Sequence, residues 1–369
     1  MSRRNVNIKR YLLPVSWLYG IVVYLRNKFF KWGIFKQNTY DIPIICVGNL
    51  AVGGTGKTPH IEHLIRLLKE KYKVAVLSRG YKRKTSGYVL ATTESTYKDI
   101  GDEPFQMMQK FPHVTFAVSE KRCRGIDKLL ALPEKKRPEV ILLDDAYQHR
   151  YVVPSFSILL TDYSRPYIGD KLLPAGRLRE SASHSADADI IIVTKCPIGL
   201  KPIGQRILLH ELHPYPYQDL LFSSLSYGKL EPLFNTKSQN IELSAIKGRS
   251  VLVVTGIASP RQLLDKLKKI TKDITPLTYP DHHNFKKKDV VAINRKFEEM
   301  GGTNKMVILT EKDATRLKNM QGFSDKVKNN TYVLPIEVSF INEEDRVLLD
   351  DKILKHVREN SRNRKFHKK

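Results

Sequence analysis

Cysteine is scarce in this chain of 369 residues, which contains only three. Cys46, Cys123 and Cys196 lie far apart, and no two of them form a CxxC pair. An odd number of widely spaced cysteines predicts neither a disulfide framework nor a zinc site. The sequence therefore indicates a protein of a reducing compartment.

The chain also lacks a hydrophobic run long enough to span a bilayer, which takes about 20 residues. The apolar run 11–25 is shorter, and no small-residue cleavage site follows it, which argues against a signal peptide. Its aromatic residues are of the types that favour the membrane–water interface. Basic residues flank the run on both sides: Arg3, Arg4, Lys9, Arg10, Arg26, Lys28 and Lys31. We predict an interfacial helix region over 1–35, whose cations contact anionic headgroups; the alternative is an amphipathic helix packed on its own domain.

Acidic residues are few beside basic ones, at 38 Asp and Glu against 63 Lys and Arg, which leaves a formal net charge of +25. So large an excess predicts an anionic partner, which could be nucleic acid, an acidic membrane face or a phosphorylated substrate. Charge alone does not choose among these three. The length predicts two domains.

From residue 42 onward, short apolar runs alternate with helical patterns. This alternation predicts an α/β fold with a mostly parallel sheet between helices, like that of P-loop NTPases. The predicted strands of this first domain are 42–47, 74–77, 114–118, 140–143, 158–161 and 190–193.

The α/β pattern restarts near residue 250 and predicts a second, smaller α/β domain. We assign 36–220 to the first domain, 221–357 to the smaller one with its connecting strands, and 358–369 to a basic tail. The runs 221–227 and 332–340 could pair as a connection between the domains. In that arrangement the final helix, 343–357, returns to the first domain.

A phosphate-binding loop follows the first predicted strand. Residues 47–59 read Val-Gly-Asn-Leu-Ala-Val-Gly-Gly-Thr-Gly-Lys-Thr-Pro and close on the GK[ST] signature, with Ala51 in place of the first glycine of the pattern. Main-chain N–H groups and the helix N-terminus that follows would cradle the phosphates of ATP. Lys57 would reach the β- and γ-phosphates, and the Thr58 hydroxyl would bind Mg²⁺. The predicted nucleotide-binding residues of the loop are Gly53, Gly54, Thr55, Gly56, Lys57 and Thr58.

A second acidic anchor follows the predicted strand 140–143. The strand delivers Asp144 and Asp145 to the edge of the sheet where ligands of open α/β folds bind. One of the two should hold the metal, directly or through water, and the sequence leaves open which. Gln148 and His149 follow closely and are candidates for substrate binding.

Taken together, these motifs resemble the tetraacyldisaccharide 4′-kinase (lipid A 4′-kinase) family. That family phosphorylates a glucosamine disaccharide lipid at the inner membrane of Gram-negative bacteria, with ATP and Mg²⁺. The chain departs from the family pattern at Ala146, Tyr147 and Arg177. The segments that carry the resemblance are 47–59, Ser-Arg-Gly-Tyr at 78–81, Gly-Asp-Glu-Pro at 101–104, 143–150, 172–180, Asp-His at 281–282 and 309–313.

The resemblance implies roles for further residues. Asp102 would be the general base that takes the proton of the sugar hydroxyl, and the Asp102–Glu103 pair is expected in a loop bounded by glycine and proline. His282 of the second domain would orient that base, with His283 as the alternative if the register differs. The other implied roles are metal or water binding for Glu103, nucleotide binding for Arg179, and binding of the lipid's phosphate for Ser78 and Arg79.

The resemblance also implies a cellular setting. The protein would be a peripheral, monotopic protein of the cytoplasmic face of the inner membrane, and a monomer. Its partners would be the lipid A disaccharide precursor and the anionic membrane surface, with no nucleic acid.

Three other functions remain open at this point. A P-loop GTPase or regulatory switch is one, because 193–196 and 310–313 loosely resemble the segment that recognises guanine. A nucleic-acid-stimulated ATPase is the second, since the net charge permits it. The third is a structural protein with a decayed phosphate loop, against which Gly56-Lys57-Thr58 and Asp144-Asp145 both argue.

Overall fold

The computed structural model describes residues 8–234, 238–257, 260–281 and 283–366, with the backbone alone for 361–366. Arg3, Arg4 and His282, for which the sequence predicts roles, lie outside the described residues. The chain forms two compact units. Unit 1 comprises Met1–Leu225 and Val338–Lys369, and unit 2 comprises Ser226–Glu337.

Strands and helices alternate along both units. The strands are β1 Ile44–Gly48, β2 Val74–Ser78, β3 Val89–Leu90, β4 Thr115–Val118, β5 Val140–Asp144, β6 Phe156–Asp162, β7 Ile190–Thr194, β8 Asp219–Tyr227, β9 Glu231–Pro232, β10 Ser250–Thr255, β11 Ile274–Thr278, β12 Lys305–Thr310, β13 Thr331–Leu334 and β14 Ile336–Phe340. The α-helices are α1 Leu13–Lys31, α2 Lys57–Leu68, α3 Tyr97–Ile100, α4 Asp102–Lys110, α5 Arg122–Leu130, α6 Pro202–Leu212, α7 Arg261–Lys268, α8 Lys287–Glu299, α9 Glu311–Leu317, α10 Asp325–Asn329 and α11 Glu343–Phe366.

The sheet of unit 1 has nine strands in the order β14-β8-β7-β6-β1-β5-β2-β4-β3. Strand β1 runs parallel to β5 on one side and to β6 on the other, and all of its residues are buried. Such a fully apolar strand is typical of a parallel sheet that is covered on both faces. The predicted fold class is confirmed.

Strand β1 also lies at the switch point of the unit 1 sheet. The chain passes from β1 to β2 on one side, and β6 lies on the other. Ligands of open α/β sheets bind in the crevice outside such a point. The register sets Val47 beside Asp144, so the end of β5 meets the start of the predicted phosphate loop.

Unit 2 has a five-stranded sheet in the order β11-β10-β12-β13-β9, in which β9 is antiparallel to β13. Alternate residues of its central strand β10 enter two hydrophobic clusters, with Leu252 and Val254 in one and Val251 and Val253 in the other. Helices therefore cover both faces of this smaller sheet as well, as the restarted α/β pattern implies.

The domain limits differ from the predicted ones. The sequence assigned 221–357 to the smaller domain and, if 221–227 paired with 332–340, returned the final helix to the first domain. In the structure β14 lies beside β8, unit 2 ends at Glu337 and the chain then continues in unit 1. Leu349, Ile353 and Val357 of α11 enter the unit 1 core, at the spacing of one helix face. Helix α11 also continues to Phe366, where the sequence predicted a basic tail from 358.

The predicted loop at Asp102–Glu103 is also wrong, since both residues form the first turn of α4. Gly101 precedes the helix with a φ of +90°, a conformation that glycine adopts without steric strain. Pro104 is compatible with a first helical turn, where the N–H groups have no partner within the helix. The flanking residues that indicated a loop are in fact helix-start residues.

Candidate active site

The phosphate loop leaves β1 at Gly48 and enters α2 at Lys57. Gly53 and Gly56 have φ values of +117° and +84°, so the loop passes twice through a conformation that side chains disfavour. A Cβ added at Gly54 would meet no atom within 4 Å, so the loop is open at this point. The loop therefore has the backbone conformation and the open face that an anion-binding nest needs.

Lys57, the first residue of α2, points to the carboxylate of Asp145. Its Nζ lies 3.7 Å from Asp145 Oδ2 and 3.4 Å from Oδ1 of the buried Asn49. Thr58 follows as the second residue of α2 and is half-buried. Lys57 is therefore held by polar groups at the base of the loop.

The two acidic residues at the end of β5 differ sharply in their surroundings. Asp144 is buried, and among the described residues neither of its carboxylate oxygens has a hydrogen-bond partner. Burial raises the pKa of Asp144 to about 7, and the charges of Glu103 and Asp145 add to this effect. An ionised carboxylate in this place requires a cation.

Asp145 adopts a φ of +49°, which is uncommon for a residue with a side chain. Arg179 Nη2 donates to Asp145 Oδ1 at 2.8 Å, and Nη1 donates to Oδ2 at 3.2 Å. Burial pushes the pKa of Asp145 upward, but Lys57 and then Arg179 outweigh it and hold the pKa below its usual value. Asp145 is therefore the ionised anchor for both basic residues.

Arg179 approaches the phosphate loop through a paired backbone segment. Arg179 N donates to Leu50 O at 2.7 Å, and Val52 N donates to Arg177 O at 2.8 Å. The Arg179 guanidinium also donates to Asn49. The structure thus brings the predicted residues Lys57, Asp145 and Arg179 together.

Two further basic residues at the loop were not predicted as site residues. Arg177 donates to Val52 O from Nε at 3.0 Å and from Nη2 at 2.7 Å, and a Cβ at Gly53 would clash with its Nη2. Lys195 donates to Gly54 O and, at 2.9 Å, to Asp162 Oδ2. The sequence drew attention to Arg177 because it departs from the family pattern, and to Lys195 because 193–196 resembles a guanine-binding segment. Neither observation indicated that these side chains would contact carbonyl groups of the phosphate loop.

Asp102 and Glu103 begin α4 at the same end of the sheet. Asp102 is 7% exposed and lies in the first turn of α4. The charge of Glu103 acts on Asp144, so these two carboxyl groups lie near each other. The predicted base therefore lies on a helix end rather than on a loop.

The 78–81 segment packs against the start of α4. A Cβ added at Gly101 would lie 3.0 Å from Tyr81 O, and one at Gly80 would lie 3.0 Å from Ile100 O. Ser78 is buried at the end of β2, and Arg79 is exposed. Two glycines thus allow the predicted phosphate-binding segment to lie against the segment of the predicted base.

Gln148 and His149 take positions beneath the loop rather than in the open. Gln148 Nε2 donates to Asn49 O at 2.7 Å, and His149 Nε2 accepts from Arg122 N at 3.3 Å. Burial lowers the pKa of His149 to about 4, with Arg122 and Arg79 adding to the effect, so the ring is neutral near pH 7. In unit 2, the alternative residue His283 lies 3.0 Å from Asp289.

The site suits Mg²⁺ held jointly with phosphates. Within the described residues, no group of three or more His, Cys, Asp or Glu side chains could hold a metal by itself. Mg²⁺ in nucleotide sites uses one or two carboxylates together with substrate phosphates and water. The unpartnered oxygens of Asp144 fit that requirement, and the Thr58 hydroxyl lies on the helix that starts at Lys57.

Comparison with known proteins gives a single family. The sequence model of the tetraacyldisaccharide-1-P 4′-kinase family matches residues 8–357. The chain belongs to this family. The family member from Bacteroides thetaiotaomicron is 50% identical, with 99% of this chain and 98% of that protein covered. A member from Flavobacterium johnsoniae is 43% identical, with 96% of this chain and 98% of that protein covered.

A solved structure of the family has the same fold. The "apo" form of LpxK from Aquifex aeolicus, in complex with ATP, covers 95% of this chain and is itself 99% covered. Its sequence is 28% identical, and the TM-score is 0.72. The family resemblance of the motifs is confirmed, and with it the assignment as a kinase.

Proposed function

We propose that this protein transfers the γ-phosphoryl group of ATP to the 4′-hydroxyl of a tetraacyl glucosamine disaccharide 1-phosphate, a step of lipid A biosynthesis. The observation that carries the proposal is the junction of β1 and β5. There an open phosphate loop with Lys57 meets Asp145, a carboxylate held by cations, and Asp144, a buried carboxylate to which the described residues offer no hydrogen bond.

The loop and its basic residues would bind the triphosphate. The main-chain N–H groups of the loop would form an anion nest, and Lys57 would reach the β- and γ-phosphates. Arg179 would move one or more of its N–H groups from Asp145 and Asn49 to a phosphate oxygen. The planar guanidinium of Arg179 can donate two parallel hydrogen bonds to a phosphate group.

Thr58 and Asp144 would hold Mg²⁺, with Asp145 and Glu103 beside it. Bound Mg²⁺ would neutralise charge that develops on the phosphate oxygens. Burial raises the pKa of the Asp144 carboxyl to about 7 although the charges of Lys57 and Arg122 oppose this, and the described residues give it no hydrogen-bond partner, so a bound metal ion would stabilise its ionised form.

Asp102 would act as the general base. Its carboxylate would accept the proton of the 4′-hydroxyl as the sugar oxygen forms its bond to the γ-phosphorus and the bond to the ADP oxygen breaks. Arg79, Ser78, Gln148 and His149 would serve the acceptor, with exposed Arg79 suited to its existing phosphate. The role of His282 as partner of the base stays a prediction.

Helix α1 supports a location at the membrane surface. Its outer face is apolar and exposed, with Trp17 at 68%, Leu18 at 66% and Val22 at 66% exposure. No acidic residue occurs in residues 1–40. Such a face, flanked by cations, is typical of a helix that lies in the headgroup region. We expect a peripheral monomer on the cytoplasmic face of the inner membrane.

The described residues include no helix that is both long and apolar enough to cross a membrane.

Direct assay of the lipid tests the proposed reaction. The protein is incubated with ATP, Mg²⁺ and a monophosphorylated tetraacyl disaccharide, and mass spectrometry follows the lipid. One added phosphate is expected with wild type and none with Lys57→Ala, while Lys69→Ala, in an exposed lysine outside the loop, serves as control. Unchanged lipid with wild type, or turnover by Lys57→Ala, would contradict the proposal.

Nucleotide competition and nucleic acid separate the other functions. We expect ATP, but not GTP, to compete for the site, and neither DNA nor RNA to stimulate ATP hydrolysis. Binding of GTP alone would favour a regulatory GTPase. Stimulation by nucleic acid but not by the lipid would favour an ATPase of that class.

Vesicle sedimentation tests the surface location. Trp17→Glu with Val22→Glu should release the protein from vesicles that contain anionic lipid, because both changes place charge on the apolar face. Deletion of residues 1–31 should have the same effect. Persistent binding after both changes would place the membrane contact elsewhere.

A further inference from the structure

The inner face of α1 is mixed in character. Its buried residues are Ser16, Val23, Asn27 and Phe30, whereas other large apolar side chains of the same helix face outward. A buried polar side chain needs hydrogen-bond partners. Ser16 and Asn27, each only 3% exposed, therefore add specific hydrogen bonds to the apolar packing of this face.

Those hydrogen bonds go to the segment 172–180, which we call the Arg179 segment. Ala175 N donates to Ser16 Oγ at 2.9 Å, and Lys9 N donates to Ala175 O at 2.9 Å. Tyr19 Oη donates to the main-chain oxygen of Arg179 itself at 2.8 Å. Helix α1 thus contacts the backbone of the very residue whose side chain reaches Asp145.

The next residue, Glu180, strengthens this attachment. Its side chain is 2% exposed and forms an ion pair with Arg26, while Asn27 Nδ2 donates to its Oε2 at 2.9 Å. His184 Nε2 lies 3.4 Å from the same oxygen. A buried carboxylate is costly unless its partners are in place, so these contacts restrict where Glu180 can lie. Restricting Glu180 restricts Arg179 as well.

The opposite edge of the Arg179 segment is paired with the phosphate loop. The hydrogen bonds of Arg179 N to Leu50 O and of Val52 N to Arg177 O form a short antiparallel pairing, and Ala51 lies opposite Leu178. The segment therefore lies between α1 and the loop. A shift of α1 would move both the Arg179 guanidinium and the loop backbone.

We propose that Tyr19, Asn27 and Glu180 are positioning residues for Arg179, so that the helix with the apolar outer face also sets the nucleotide site. The inference rests on the proposed role of Arg179 in ATP binding. Tyr19 holds the Arg179 backbone, and Asn27 acts through Glu180. None of the three touches the reacting atoms.

Tyr19→Phe tests the inference because it removes one hydroxyl and leaves the ring. The full-length protein in detergent is titrated with a non-hydrolysable ATP analogue and Mg²⁺, and the KM values for ATP and for the lipid acceptor are measured. We expect about fivefold weaker analogue binding and a similar rise in KM for ATP, the size of one net hydrogen bond. The KM for the acceptor should not change, and the melting temperature should fall only slightly, as expected for the loss of one hydrogen bond.

Tyr217→Phe is the matched control. Its hydroxyl donates to Ala186 O at 2.8 Å, which is the same kind of bond at the same length, on a side chain that is 60% exposed. Analogue binding by this variant should equal that of wild type. Asn27→Leu, which removes a bond to Glu180, should weaken analogue binding by at least as much as Tyr19→Phe.

Arg179→Ala separates the inference from the proposed function. If Arg179→Ala weakens analogue binding while Tyr19→Phe and Asn27→Leu do not, the positioning inference is wrong and the role of Arg179 stands. If the α1 variants lower only the melting temperature, their contacts are merely structural and the inference is again overturned. If Arg179→Ala binds the analogue like wild type, the role of Arg179 in ATP binding is wrong.

Discussion

Each unit has a buried aspartate where a central strand of its sheet ends, but the two carboxylates have different partners. In unit 2, Asp313 Oδ2 accepts from Gly256 N at 2.9 Å and from Thr310 Oγ1 at 2.6 Å. These bonds connect the loop after β10 to the start of α9, and only Oδ1 of Asp313 finds no hydrogen-bond partner among the described residues. In unit 1, the described residues provide no hydrogen-bond partner for either oxygen of Asp144.

Burial raises the pKa of both carboxyl groups, so the pKa shift does not distinguish their roles. The hydrogen-bond donors do. Asp313 accepts N–H and O–H donors of its own unit, as a structural carboxylate does, whereas the described residues offer no donor to Asp144, which lies beside the start of the phosphate loop. The comparison teaches that a buried acid at a strand end indicates a cation site only where the protein itself leaves it unpaired.

Asp102 is a second carboxylate of unit 1 to which we assign a chemical role, that of the general base. Asp102→Ala should lower turnover by about 10²–10⁴-fold, the usual contribution of a general base. Binding of the ATP analogue should change little. Steady-state kinetics and analogue titration check this, and turnover near the wild-type rate would show that Asp102 is not the base.

Asp144→Asn should separate activity from stability. We expect turnover to fall by about 100-fold or more, because the charge that attracts the metal is lost. The melting temperature without Mg²⁺ should stay the same or rise, since the carboxylate has no hydrogen bond to lose. If the Asp144→Asn variant has a lower melting temperature and near-normal turnover, Asp144 stabilises the fold and does not hold the metal.

Asp313→Ala should do the reverse. It leaves the buried N–H of Gly256 without an acceptor, which costs about 1–3 kcal/mol of folding free energy. A lower melting temperature by calorimetry is therefore expected, with Asp325→Ala, a substitution in an exposed residue of the same unit, as control. An unchanged melting temperature would mean that the hydrogen bonds of Asp313 contribute little.

The pH dependence of Asp313 gives the smallest effect. Burial raises its folded-state pKa above the ordinary 3.8, although hydrogen bonds from Thr310 and Gly256 oppose this. A raised pKa means that the contribution of the group to stability is complete below pH 3.8 and is lost as pH rises through the folded value. When the pH is raised from about 4 to about 7, the melting temperature of Asp313→Asn should therefore fall less than that of wild type. An equal loss in both proteins would contradict the raised pKa.

Local patterns sufficed for much of the site. The glycines and Gly56-Lys57-Thr58 mark the loop, and the apolar run before Asp144 marks the strand that delivers it. Motif order then indicated the family. Asp102 shows the limit of such patterns, because glycine and proline occur both in loops and at helix starts, and the adjacent residues did not distinguish the two.

Other contacts depend on residues that are distant in the chain. Nothing local in Tyr19 or Asn27 indicates that they hold the segment of Arg179, more than 150 positions away. The same is true of Lys195, which reaches Gly54 from the end of β7. The sequence raised the return of α11 to unit 1 only as one arrangement, and the packing of its apolar face in the unit 1 core decided it.

The sequence by itself determined the fold class, the phosphate loop, the acidic pair and the family, because these depend on residue types at short spacing. Only the tertiary structure decided that Asp145 is held by Lys57 and Arg179 while Asp144 has no hydrogen-bond partner among the described residues, and that Ser16 and Asn27 of α1 are buried. Burial and the choice of hydrogen-bond partners arise when distant segments pack together, and neighbouring residues along the chain do not encode them.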